Sequence, residues 1–167
     1  ESENKFRSVI EHASDGVALI DSQGNVTEWN LAMEQITEIR HSEVLHMPVW
    51  DVVFQITPHD KKTAEVREVV ATQWKTEIKN GYINKDRIAE YEIESINGVR
   101  KFIQSNGFTV ETAQGRMGGV IMRDVTERKQ AENALHHNRD LLLALSHAAH
   151  SVQRARTPDE VYRAVGE

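Results

Sequence analysis

Two amides raise the first chemical question. In the run Val99 to Val110, Gln104 and Asn106 share a strand face with Phe102, Phe108 and Val110, because side chains along a strand alternate with period two. An amide among apolar neighbours needs hydrogen-bond partners, which ordered water or a small polar ligand would supply. The opposite assignment puts that face in solvent and turns Val99 and Ile103 inward, and the spacing allows both. Glu90, Glu92 and Glu94 alternate with Tyr91 and Ile93, the pattern of a solvated strand face rather than of a paired acid and base. His147 and His150, and the adjacent His136 and His137, are metal-ligating types. No third and fourth ligand accompanies either pair, so no metal site is assigned.

Absences narrow the chemistry further. The chain has no cysteine, which removes disulfides, thiolate metal sites, sulfur nucleophiles and every chromophore attached through sulfur. No glycine-rich phosphate loop, nucleophile elbow or catalytic carboxylate pair stands in a suitable context. No catalytic residue is assigned, and the chain by itself is expected not to be an enzyme. Its 20 basic residues face 26 acidic ones, for a net charge of -6 without a basic stripe, which argues against nucleic acid as a partner. The longest apolar cluster, Leu141 to Leu145, is far short of a membrane span, so a cytoplasmic location without membrane contact is expected. The chain opens at Glu1 and stops inside a helical pattern at Glu167, which reads as a piece of a longer protein.

The elements that position these residues follow from periodicity. Phe6, Val9, Ile10 and Ala13 form one stripe of a short helix that Ser14-Asp15-Gly16 terminates. Val17 to Ile20 and Val26 to Trp29 are strands joined by the turn Asp21-Ser22-Gln23-Gly24. Asn30 caps a helix through Leu31, Ala32, Met33 and Ile36, and Ser42 to Leu45 and Val49 to Val53 are short helical pieces around Pro48. Thr57-Pro58-His59-Asp60 has the form of a capping box with proline at the first helical position. It opens a long helix on which Val66, Val70, Trp74 and Ile78 recur every four residues, ending near Asn80-Gly81. Three strands follow: Ala89 to Glu94, Val99 to Val110 and Met117 to Val125. Asn97-Gly98 predicts a type I′ turn, in which both central residues take positive φ, and Gln114-Gly115-Arg116 predicts a second turn.

From Lys129 onward the period becomes seven. Leu135, Leu142 and Ala149 mark one core position and Ala131, Asn138, Leu145 and Val152 the other, which predicts a parallel two-helix coiled coil and hence a homodimer, with Asn138 fixing its register. Thr157-Pro158-Asp159-Glu160 then repeats the cap-and-proline pattern and starts a helix containing Val161, Tyr162 and Val165. Between sheet and coil stands the run Arg123 to Ala131. Asp124 and Thr126 are helix-capping types and Glu127 suits the positive end of a helix, so this run reads as a mechanical joint.

This order of elements resembles the PAS sensory domain over roughly residues 1 to 130. Asp21, Gly24, Val26 and Asn30 match its first hairpin, Pro58-His59-Asp60 its approach to the long helix, and Asp124 to Lys129 its exit. Glu38-Ile39 departs from the family's common Gly-Tyr, and His46 stands where a second glycine is common, so those loops are expected to differ in shape. Leu141 to Gly166 is similar to the first helices of a GAF domain. The resemblance implies an α+β fold: a five-stranded antiparallel sheet with helices on one face, an N-terminal cap helix and a long C-terminal coiled-coil helix. The implied domains are PAS over 1–125, a signalling helix over 126–156, and the start of a following domain, GAF in type, over 157–167.

The same resemblance implies a cavity between sheet and helices, with Trp29, Trp50, Val66, Val70, Trp74, Tyr91, Phe102, Gln104, Asn106 and Ile121 as pocket candidates. His59 stands where haem-binding members carry their proximal ligand, although capping is the commoner role there. Non-covalent flavin has no support beyond the fold, and the ligand's identity stays open. The implied function is sensing or signal relay, with Asp124, Thr126 and Asn138 as relay residues and a downstream domain as partner; a histidine kinase of a two-component system is the favoured parent, with a cyclic-dinucleotide enzyme or another sensor output left open. Two alternatives stay open. One is a ligand-free dimerisation module. The other is a phosphoacceptor fragment, since Ser146-His147 with Arg154 to Pro158 is similar to the histidine-kinase acceptor box, although Ala148 and Ala149 follow the histidine where that family places an acidic residue.

Overall fold

The structure, a computed structural model, describes residues 8–80, 88–112 and 115–154. Phe6, Gly81, Gln114 and everything predicted from Thr157 onward lie outside the described residues. Two compact units divide the chain, Glu1–Thr126 and Glu127–Glu167. The first holds one antiparallel sheet in the order β2-β1-β5-β4-β3. Its strands are β1 (Gly16–Ile20), β2 (Val26–Trp29), β3 (Ala89–Glu94), β4 (Arg100–Thr112) and β5 (Gly115–Asp124). A helical stretch at residues 8–11, α1, precedes the sheet. Between β2 and β3 run α2 (Leu31–Thr37), α3 (His41–Val44), α4 (Val49–Gln55), a 3-10 turn (His59–Lys61) and α5 (Ala64–Asn80). The second unit is dominated by α6 (Thr126–Arg154). The fold class is the one the resemblance implied.

The core is filled by apolar residues of the sheet and of α2 to α4. Ile20, Val26, Met33, Val44, Val52, Ile93 and Ile103 are its most deeply buried members. Asn30 organises one end of it from a single side chain that is 1 % exposed. Its Oδ1 accepts from the Met33 amide at 3.0 Å, capping α2, and from the Val17 amide at 2.8 Å. Its Nδ2 donates to the carbonyls of Ile10 at 2.9 Å and Asp15 at 3.0 Å. One amide thus joins α1, β1 and α2. In the first hairpin Asp21 Oδ1 accepts from the amides of Gln23 and Asn25 at 2.8 and 2.9 Å. Gly24 there has φ 93°, and a Cβ on it would sit 2.6 Å from the Trp50 ring, so both its backbone and its space require glycine.

Three local expectations are corrected. Thr57 forms no capping box: its Oγ1 donates back to the Val53 carbonyl at 2.9 Å, and the chain makes the separate 3-10 turn before α5 begins. Thr63 takes the capping role, accepting from the Val66 amide at 3.3 Å. Asn97-Gly98 is not a type I′ turn, because only Gly98 has positive φ, at 82°. The Gly98 amide donates to Ser95 O and the Ser95 amide to Val99 O, each at 2.9 Å, giving a wider turn with one left-handed glycine; β4 accordingly starts at Arg100.

The third correction concerns Glu38 and His46. At φ 62° and 65° they are the only non-glycine residues with positive φ among those described. These are the two positions at which the resemblance led glycine to be expected, and both hold the left-handed backbone that glycine adopts most readily. The geometry is held from outside: the His46 amide donates to Val26 O at 2.8 Å, and that of Glu38 to Glu34 O at 2.7 Å. A side chain in the left-handed region costs about 1–2 kcal/mol, while glycine's extra freedom in the unfolded chain takes back about 0.5–1 kcal/mol. His46 is exposed, so His46→Gly is expected to stabilise the domain by about 0.5–1 kcal/mol. Urea unfolding should show a higher midpoint at unchanged slope; a lower midpoint would mean the imidazole makes a stabilising contact that outweighs the strain.

Candidate functional site

The four-residue repeat of Val66, Val70 and Trp74 places these side chains on one face of α5. None of the helix's 17 residues is fully buried, although Trp74 packs against the core. Beneath this face lies a cavity of about 710 Å³. Val66, Val70, Gln73, Trp74 and Glu77 of α5 form its roof; Ala89, Tyr91, Glu92 and Ile93 of β3, Ser105 and Gly107 of β4, and Val120 of β5 form its floor. Val53 and Ile56, with Thr57, Pro58 and Lys61 of the connection, close one end.

Of the predicted pocket residues, the structure brings Val66, Val70, Trp74 and Tyr91 to this cavity. Trp29 is buried in the core instead, its Nε1 donating to Ile39 O at 3.2 Å. Trp50 packs against the core beside Gly24, with the Lys75 ammonium 5.0 Å from its ring centroid. Phe102, Gln104, Asn106 and Ile121 face the other way. Ile103 is fully buried and Ser105 and Gly107 line the cavity, so the strand's alternation puts the even-numbered residues of β4 on the opposite side, and Ile121, paired with Asn106 in register, goes with them. Gln104 Nε2 donates to Glu90 Oε1 at 3.2 Å, and Asn106 Oδ1 is buried without a partner among the described residues. Phe108 lies across Gly119, where a Cβ would meet its ring at 2.1 Å.

Ser105, Gly107, Val120, Gln73, Glu77, Thr57 and Lys61 escaped the sequence reading. Gly107 in mid-strand was the available signal, because a strand glycine often marks a bend or a site where something approaches the backbone. Tyr91 is 40 % exposed overall, yet its hydroxyl end is enclosed, and burial pushes the phenol above its ordinary value while the Ser105 hydroxyl acts in the opposite sense. Two of the three strand glutamates, Glu92 and Glu94, are not a plain solvated face but belong to an ion-pair cluster. Arg100 pairs with Asp60, with Glu94 at 3.5 Å and with Glu92 at 3.9 Å, and Lys61 stands 3.9 Å from Glu92. The His59 amide donates to Glu94 Oε2 at 3.2 Å. The His59 side chain itself is exposed on the 3-10 turn, outside the cavity wall.

The joint after β5 is built by Phe102, whose two backbone groups are both engaged. Its carbonyl accepts from the Val125 amide at 2.8 Å, and its amide donates to Thr126 Oγ1 at 2.9 Å. Asp124 Oδ1 accepts from the Thr126 hydroxyl at 2.6 Å and amide at 2.9 Å. One residue earlier, Arg123 forms a two-pronged pair with Asp15 at 2.9 and 2.6 Å, and that hydrogen bonding holds the Asp15 carboxyl below its ordinary value against the effect of burial. Along α6, Leu135, Leu142 and Leu145 are 71 %, 67 % and 59 % exposed. Among the described residues no group of three or more His, Asp or Glu side chains could hold a metal ion. No described helix is long and apolar enough to cross a membrane.

A family model described as PAS fold matches residues 4–125. A relative, the signal transduction histidine-protein kinase AtoS of Escherichia coli, is 28 % identical over 129 residues, covering 76 % of this chain and 19 % of that protein. The chain therefore spans about a fifth of that relative's length. Among solved structures it is similar to the PAS domain of an HTR-like protein from Haloarcula marismortui, with a TM-score of 0.53, 18 % identity and coverage of 74 % and 96 % of the two chains. A PAS domain from a two-component sensor histidine kinase gives 0.50 at 16 % identity, covering 74 % and 99 %. An RNA-binding light-oxygen-voltage receptor gives 0.58 at 17 % identity, covering 83 % of this chain and 37 % of that one. At these identities the structural likeness shows the fold.

Proposed function

The chain belongs to the PAS family and is related to histidine kinase sensor domains; from that premise we propose that it reads occupancy of the cavity under α5 and passes it through β4 and β5 to α6. There α6 pairs with its counterpart in a second copy and delivers the signal to a downstream domain of a histidine kinase. Phosphoryl transfer is assigned to that parent and not to this piece, and the location proposed is the cytoplasm.

One observation carries the reading. The cavity floor uses Ser105 and Gly107 of β4 and Val120 of β5, and the same two paired strands end in the Phe102 lock on residues 125 and 126. Ser105 is three residues from Phe102, so a ligand that shifts this pair of strands acts directly on the joint. The energies match. Fully burying a valine or larger apolar side chain yields about 1.5–3 kcal/mol, and a ligand completing the burial of Val66, Val70 and Trp74 would supply part of that for each. A switch needs a gap of only a few kcal/mol between its states.

Native mass spectrometry of the purified protein is expected to show one retained small molecule per chain. A stable, empty dimer would favour the ligand-free dimerisation module, a reading that the exposed leucines of α6 support. Thr126→Val tests the relay. It removes the acceptor for the Phe102 amide and the donor to Asp124, so amide exchange at residues 102 and 126 should quicken. In the parent kinase, ligand should still bind while autophosphorylation stops responding to it. An unchanged dose response would rule out this joint as the path.

A further inference from the structure

Resting on the sensor reading above, we infer that the cavity takes a compact organic amine, its ammonium held by the Glu77 carboxylate beside Trp74 and Tyr91. Among the described residues three charged side chains line the cavity: Lys61, Glu77 and Glu92. Glu92 already has cations nearby, with Lys61 Nζ and Arg100 Nη1 each 3.9 Å away. Glu77 has no basic partner among the described residues; its one hydrogen bond comes from Gln73 Nε2 at 3.3 Å. It is half-buried on the cavity wall, where an unpaired carboxylate is costly.

The surroundings favour a cation there. Glu77 follows Trp74 by three residues, so the two share a helix face, and the last turn of α5, where Glu77 sits, is the negative end of the helix dipole. Aromatic rings attract ammonium groups through their electron-rich faces, and Trp74 and Tyr91 line this cavity. Val66, Val70, Ile93 and Val120 leave the rest of the wall apolar, which calls for a hydrophobic body behind the amine. Its volume lies within the range of small-molecule pockets. Selectivity follows from the same group. A neutral ligand would cover Glu77 without pairing it, and an anion would meet like charge.

The test titrates the protein with 2-phenylethylammonium, its neutral counterpart 2-phenylethanol and the anion 3-phenylpropanoate, followed by calorimetry and tryptophan fluorescence. The amine is expected to bind at least about tenfold more tightly than the alcohol, with the anion weakest. Glu77→Gln should remove that preference while moving the alcohol's affinity less than about twofold, which also confirms that the variant is folded. If the alcohol or the anion binds as tightly as the amine, or Glu77→Gln leaves the amine's affinity unchanged, the amine assignment is overturned. In that event the sensor reading stands separately if the alcohol binds and Val70→Trp, which narrows the cavity, weakens that binding. If none of the three probes binds, the amine assignment falls, and the sensor reading is decided separately by whether native mass spectrometry shows a retained small molecule.

Discussion

Asn30→Ala is expected to lower the unfolding free energy by about 3–4 kcal/mol. Alanine keeps the backbone but deletes an acceptor shared by two amides and a donor shared by two carbonyls. Val17 and Met33 lose their partner on one side, Ile10 and Asp15 on the other. A neutral hydrogen bond contributes about 1 kcal/mol net, and a buried group left unmet costs about 1–3 kcal/mol; water entering the space left by the amide offsets part of the sum. Against a whole-domain stability of about 5–15 kcal/mol the loss is large enough to move a urea midpoint severely. Asn30→Asp separates the two halves of the role. It still accepts from both amides, so α2 keeps its cap, yet it sets an anion against the two carbonyls that need a donor. Its loss should approach that of alanine. If Asn30→Ala costs less than about 1 kcal/mol, water replaces the side chain and the position is only a helix cap.

Asn30 also marks where sequence reading stops. Its capping of α2 was legible because the cap and the helix it serves are adjacent in the chain. Its hold on Ile10 and Asp15 was not, since those residues come near it only after β1 and β2 pair. The turn at Asp21 to Gly24 and the joint at Asp124 and Thr126 were legible for the same local reason. The inward face of β4 was not. Period two states that residues alternate and leaves open which set faces the core; Phe102, Phe108 and Val110 on one side rival Val99 and Ile103 on the other. What decides is tertiary: Ile103 fills the core, the small Ser105 and Gly107 leave the cavity open, and Phe108 finds its room over Gly119. The four-residue repeat singled out Val66, Val70 and Trp74, which the structure places on the cavity wall, whereas Glu77 lies off that repeat and carries no signal of its own until the floor beneath it is known.

Asn138→Leu should tighten self-association through α6 by about 100-fold and at the same time blur its geometry. The helix has 29 residues, about 43 Å at 1.5 Å per residue, and its heptad leucines stand in solvent when it is alone. Pairing would bury them. In a parallel pair the two Asn138 side chains meet in the seam and satisfy each other only in one register, so the residue lowers affinity while excluding misaligned partners. Two leucines in their place contribute about 1.5 kcal/mol each, together about 3 kcal/mol, which is the predicted factor of about 100. Sedimentation equilibrium should show the tighter dimer together with a higher-order species that wild type lacks. In the parent kinase the variant should respond less to the sensor, because a register change can be transmitted only if the unliganded register is well defined. Unchanged affinity and stoichiometry would place the partner of this helix face elsewhere than on a second copy of the same helix.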